Sequence, residues 1–275
     1  MCSSDLTGRL LSGANGMATW ADVKANAALI GITLHDKDVL DIPQVRLNAD
    51  GSTFIDGTGQ AFLVARNVVS GAIVYVHDSM DLAIRNGTLE LQTVGHAFLD
   101  DIAHGVDFQT LNATGDLPDP ALLNAHYVAG DGRANENLGL TAIHDVLHAE
   151  HNRVLAEIES FMTPLSNGTG SFSDVNGTIW TGDMLFNAAK MVTEMEYQHL
   201  VFGEFARKLS PHVNAFAGYN VTINPAITAE FAHAVYRLGH SMLTDTVDQL
   251  GFDPLTGLAN GDTTDTMGQI GRAHV

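Results

Sequence analysis

Histidine stands out in this chain of 275 residues: there are 13, as many as Lys and Arg together. Imidazole moves protons near neutral pH and ligates metals, so its placement bounds the chemistry open to the chain. Three groupings have useful spacing. His144, His148 and His151 stand at i, i+4 and i+7, and two imidazoles one helical turn apart can chelate a metal. His151 also falls on an apolar stripe, where a buried structural histidine is the simpler expectation. Glu196…His199 and Glu230…His233 are Glu-x-x-His units, the pattern that sets two ligands one turn apart in di-iron bundles, with Glu136 and Glu157 as further carboxylates. A pattern with two fixed positions recurs by chance in a His-rich chain. Asp131, Arg133 and Glu136 make a charged loop feeding an apolar helix, which by itself reads as a cap region with an Arg–carboxylate pair.

Those residues need elements to hold them. Apolar residues at 45% supply a sizeable core, and the length fits one or two domains. The formal charge of −19 argues against nucleic acid or an anionic membrane surface as partner. No apolar run reaches the length of a membrane span. Cys2 is the single cysteine, so neither an intrachain disulfide nor a thiolate metal cage can form. Helical spacing predicts a short helix over 20–32. Short β-branched runs cut by Asp50-Gly51, Asp56-Gly57, Gly71 and Asn86-Gly87 predict hairpins over 43–94, with the two Asp-Gly pairs as turns rather than calcium loops. Helices are expected at 94–104, at 138–162 on the stripe Leu140, Ile143, Leu147, His151, Val154, Ile158, at 184–208 with Asp183 as cap, and at 226–243 on Phe231, Val235, Leu238 and Met242. Residues 105–132 and 166–177 read as loops and 244–267 as a turn-rich tail.

The stretch from Gly130 to Arg133 and Glu136, then Leu140-Thr141-Ala142-Ile143-His144, then Glu150-His151-Asn152-Arg153, closely resembles the signature of the animal-type haem peroxidases, the peroxidase–cyclooxygenase superfamily. Three linked blocks in order are hard to obtain by chance. Phe98-Leu99-Asp100-Asp101-Ile102-Ala103-His104 is similar to the family's distal-histidine helix. Tyr236-Arg237-Leu238-Gly239-His240-Ser241 is similar to its proximal-histidine helix. The resemblance implies haem b held through iron by His240, with Gly239 allowing close approach of the macrocycle and Arg237 as a propionate partner. It implies His104 as the acid–base group, oriented by Asp100, with His96 the nearest rival. Arg133 would face the leaving oxygen, and Glu136 matches the carboxylate that can ester-link to a haem methyl. These types suit the chemistry, since a neutral imidazole relays a peroxide proton and a guanidinium stabilises developing negative charge.

The sequence also departs from the family pattern. Ala103 removes a second ester site, Asn137 removes a sulfonium link, and Asp100 replaces the distal glutamine that bears on halide handling. Gly105 replaces a calcium-ligating aspartate and the calcium loop is missing between 109 and 126, which argues against calcium. The expectation is a mainly α protein, a haem-peroxidase-like helical core with a small β-rich N-terminal subregion. Residues 7–93 form the N-terminal part and 94–267 the core. Residues 1–6 and 268–275 resemble translated adapter sequence and are set aside, the chain being a piece of a longer protein. The implied function is reduction of hydrogen peroxide with oxidation of an unknown small-molecule donor, in a secreted, bacterial member of the family. The alternatives are the di-iron protein and a non-catalytic peroxidase-like module of a secreted adhesin.

Overall fold

Thr19 ends an extended run and starts a helix. Its hydroxyl accepts from Asp22 N while Asp22 Oδ2 accepts from Thr19 N at 2.9 Å, a reciprocal capping box. The computed structural model of the chain describes residues 7–14, 16–49, 53–99, 106–135, 138–165, 171–242, 246–252 and 259–266, with the backbone alone at 138, 240, 246–252 and 259–266. It divides into two units, 1–213 and 214–275.

In the first unit, strands β1 (Ser12–Gly13) and β2 (Gly16–Met17) pair antiparallel ahead of helix α1 (Trp20–Leu29). Trp20 is fully buried against Phe98, with ring centroids 5.1 Å apart, and its Nε1 donates to Asp36 Oδ1 at 3.1 Å. Val39, Leu99, Leu123 and Val128 complete this core. The predicted hairpin region holds β3 (Leu63–Asn67), β4 (Ile73–Val76), a short helix α2 (Leu82–Arg85) and β5 (Leu89–Leu91). The sheet order is β4-β3-β5, all antiparallel, with Leu63 opposite Val76 and Ala65 opposite Leu91. Asp56 Oδ1 accepts from Thr58 N and Gln60 N, the side-chain-closed turn expected there.

The helix expected at 94–104 is not found over 94–99, and 100–105 lie outside the described residues. Gly95 takes φ +68°, and Phe98 N bonds instead to Val39 O at 2.8 Å, so long-range pairing replaces a helical ladder. The loop 105–132 contains a 3₁₀ turn, Phe108–Thr110, and helix α3 (Ala121–Asn124).

Helix α4 (Leu138–Ser160) matches the predicted long helix. A three-stranded sheet follows, from β6 (Thr163–Pro164), β7 (Phe172–Ser173) and β8 (Ile179–Trp180). Helix α5 (Gly182–Gln198) begins at Thr181, whose hydroxyl caps Met184 N; Asp183, the expected cap, sits inside the first turn. A π-helical stretch, His199–Phe205, leads into α6 (Ala206–Leu209), so the predicted 184–208 helix changes pitch before it ends.

Val154 and Leu155 of α4 pack against Leu185 and Ala189 of α5. Leu155 and Leu185 are both fully buried. Replacing Leu155 with alanine should cost about 2–5 kcal/mol, because the helices cannot fully collapse onto the lost volume. A urea titration of that variant checks the value through its midpoint.

The N-terminal segment lies along these helices. Asn152 Oδ1 accepts from Leu10 N and its Nδ2 donates to Leu10 O, both at 2.9 Å. Asp145 Oδ1 accepts from Met17 N at 3.0 Å. At Gly16, φ +112°, a Cβ would stand 2.3 Å from Asp145 Oδ1, so glycine is required for this approach.

In the second unit, the helix expected at 226–243 forms two pieces, α7 (Ala229–His233) and a 3₁₀ helix, Val235–Met242. Thr228 caps the first, and Ala234 at φ −122°, ψ −67° breaks the ladder between them. The tail expected to be turns forms an antiparallel hairpin, β9 (Thr246–Phe252) with β10 (Ala259–Thr266). Thr263, Thr264 and Thr266 of β10, with Thr246 and Val247 of β9, supply β-branched residues that pleated pairing favours.

Candidate active site

The loop that carries the charged triplet is tied down before it enters α4. Asn135 Oδ1 accepts from Tyr127 N at 2.9 Å, and its Nδ2 donates to Tyr127 O at 2.6 Å, imitating a strand pair across the loop. Ala134 is fully buried in a small cluster with Met17 and Ala129. Thr141 Oγ1, in the first turn of α4, donates to the Ala134 carbonyl at 2.7 Å.

Within this frame Arg133 turns back onto Asp131. Its Nε donates to Asp131 Oδ1 at 3.0 Å and its Nη2 to Oδ2 at 2.8 Å, a bidentate pair that fixes the guanidinium plane. The Arg133 backbone N also donates to Asp131 Oδ1 at 2.9 Å. Hydrogen bonding from Arg133 holds the Asp131 carboxyl down at about 2, against an ordinary 3.8. Because the folded value is depressed, the pair's stabilisation is present above pH 3.8 and lost as pH falls toward about 2. The side chains are 39% and 51% exposed, so solvent keeps that contribution small. The result is a permanent positive charge held in place yet open to the surface.

The later signature residues build the helix that carries this loop. His151 is buried, its Nε2 meets the Phe186 carbonyl at 3.2 Å, and it packs on the Phe186 ring at 4.9 Å. It is therefore the structural histidine its place on the stripe implies. Asn152 clamps Leu10, and Arg153 bridges Glu150 and Glu157 along the solvent side. The Asn152 clamp was invisible without coordinates, because its partner is a backbone 142 residues away.

Asp100, His104 and Glu136 lie outside the described residues. His240 lies in the 3₁₀ helix of the second unit, as does Arg237, which is exposed. On that helix Val235, Leu238 and Met242 are 54%, 54% and 46% exposed, and the break at Ala234 separates them from Phe231, so the single apolar face expected over 226–243 does not form. A Cβ at Gly239 would meet nothing within 4 Å. Exposed apolar side chains thus stand beside an open backbone on this helix. His96 is exposed, with Nδ1 against the Ala97 carbonyl at 2.7 Å.

Among the described residues no three His, Cys, Asp or Glu gather to hold a metal, and Glu136 of the di-iron alternative lies outside them. Glu157 is paired with Arg153, and Glu196 lies against Glu150. Loss of solvent and that neighbouring carboxylate push the Glu196 carboxyl up.

The family model described as "Animal haem peroxidase" matches residues 83–267, more than half of the chain. The chain belongs to the animal haem peroxidase family. It is 27% identical over 205 residues to the Peroxidasin homolog of Mus musculus, a match covering 71% of this chain and 12% of that protein. It is 29% identical over 139 residues to Peroxidasin of Drosophila melanogaster, covering 47% of the chain and 8% of the relative. It is 28% identical over 164 residues to a Peroxidase-like protein of Margaritifera margaritifera, covering 54% and 19%. The matched segments are thus a small part of each of these relatives. The mainly helical architecture with small sheets agrees with the expected fold class.

Proposed function

We propose that the chain carries the haem site of a peroxidase that reduces hydrogen peroxide at the expense of a small-molecule donor. The observation that carries this is the Asp131–Arg133 pair, fixed at the head of α4 inside the family signature. His240 would ligate the iron, Arg237 would meet a propionate, and Glu136 would provide the ester carboxylate. Bound haem supplies the two-electron reduction of the peroxide O–O bond.

The protein's own part is charge and proton management. His104 takes the proton from the near peroxide oxygen at a ring nitrogen and returns it to the far one, which leaves as water. Asp100 holds that ring in one orientation. Arg133 offers a guanidinium that stays charged at any working pH, opposite the oxygen on which negative charge grows. A secreted location belongs to the same reading, in keeping with an acidic chain that has one cysteine. No helix among the described residues is long and apolar enough to cross a membrane.

The test is turnover. The chain reconstituted with haem should oxidise guaiacol in a peroxide-dependent manner. Haem uptake without any such turnover would favour the non-catalytic module instead.

A further inference from the structure

Arg46 lies on the segment that runs beside β3, where Val45 stands opposite Leu63 and the Arg46 amide donates to the Phe62 carbonyl at 2.8 Å. Its guanidinium carbon sits 3.7 Å from the centroid of the Phe54 ring and 4.4 Å from that of Tyr75. Distances this short place the cation over the ring faces, where the aromatic quadrupole attracts it. Phe62 joins the cluster, 6.1 Å from Phe54 and 6.3 Å from Tyr75. The rings occupy the faces of the guanidinium and leave its N–H edges. Among the described residues no acceptor meets those edges, and none of the Arg46 nitrogens is buried unmet, so the edges reach solvent. Lys24, Arg133, Arg153 and Lys190, by contrast, each hold a carboxylate. In a chain with 32 acidic residues against 13 Lys and Arg, a half-buried cation fixed by two rings and matched to no anion is the exception to account for.

We propose that the Arg46 edge is a binding site for a carboxylate carried on a planar apolar body, such as an aromatic acid. The site is built from residues 46–75, ahead of residues 83–267 that the family model matches, and none of its chemistry depends on haem. Ligand class follows from the donors. A guanidinium offers parallel N–H bonds at the spacing of the two carboxylate oxygens, and the pairing holds both groups in one plane. Here the rings fix that plane beforehand, so little side-chain freedom remains to be lost on binding. A neutral amide matches one N–H with its oxygen and turns its own NH2 against the other. The apolar body follows from the neighbours: Tyr75 and Ile73 share one face of β4 and are 44% and 50% exposed. The carboxylate of Asp56, whose charge reaches His77, is taken up on its own turn by the Thr58 and Gln60 amides. Repulsion from the acidic surface at large is screened within about 8 Å at physiological salt.

Titration of the full chain with benzoate, benzamide and acetate at fixed pH and ionic strength tests this, read by NMR of the Phe54 and Tyr75 ring protons. Benzoate should bind saturably and shift both rings. Benzamide, the same shape without the charge, should bind at least about tenfold more weakly, the preference a charge-assisted pair confers. Acetate, which lacks the apolar body, should also bind more weakly than benzoate. Arg46→Gln should abolish the saturable shifts, and Arg46→Lys, which keeps the charge and loses the fork, should weaken benzoate about tenfold. The Arg46 side chain bonds to no protein acceptor, so both variants should keep the sheet, with the Leu63 and Val76 amide resonances unchanged. The absence of saturable benzoate binding would overturn the proposal. So would benzamide or acetate binding as tightly as benzoate, or benzoate binding that survives Arg46→Gln.

Discussion

Replacing His104 with alanine is expected to leave haem bound and to slow peroxide cleavage by about 10²–10⁴-fold, the range that a positioned general acid–base contributes. Without the imidazole, the proton on the near oxygen has no acceptor, and the departing oxygen must leave as hydroxide. The loss should appear in the rate of peroxide consumption, with the absorption spectrum of the resting protein little changed. Unaltered consumption would move the base elsewhere. His96 is the first alternative, because its Nδ1 is taken by the Ala97 carbonyl and its exposed ring leaves Nε2 for proton transfer.

Arg133→Gln should lower the same rate by about 10²–10³-fold, the cost of removing one donor aimed at developing negative charge. Arg133→Lys should restore little, since a point charge cannot reproduce the fork that Asp131 fixes. These variants have a second signature that does not depend on catalysis. Arg133 is the main reason the Asp131 carboxyl sits at about 2, so in Arg133→Gln that value should rise toward 3.8. Carboxyl NMR titration reads it directly. A raised Asp131 value with unchanged peroxide consumption would make Arg133 a structural loop residue and nothing more.

The parts of this protein that could be read in advance are those whose physics is local. The three-and-four spacing from Leu140 to Ile158 is a one-dimensional pattern, and α4 follows it from Leu138 to Ser160. The turn dipeptides marked the strands because a turn needs its residues in sequence, as the Asp56 turn illustrates. What could not be read is what distant chain decides. Phe98 and Leu99 look helical in sequence, yet their amides meet the Val39 carbonyl. Thr181 and Asp183 are both good caps, and the structure uses the former. The break at Ala234 has no breaker residue to announce it, and the final hairpin has no alternating apolar face. At the site, the Asp131–Arg133 pair was legible from two charges two residues apart. The Asn152 clamp was not, because the Leu10 backbone that it holds lies 142 residues away in the chain.

The most direct measurement is the absorption spectrum of the purified chain after reconstitution with haem, taken beside its His240→Ala variant. If His240 holds the iron of a bound haem, an intense Soret band and saturable one-to-one uptake are expected in the parent chain, with both lost or strongly weakened in the variant. An identical Soret band and identical uptake in His240→Ala would contradict the assignment of the iron to that helix, and with it the account of the site.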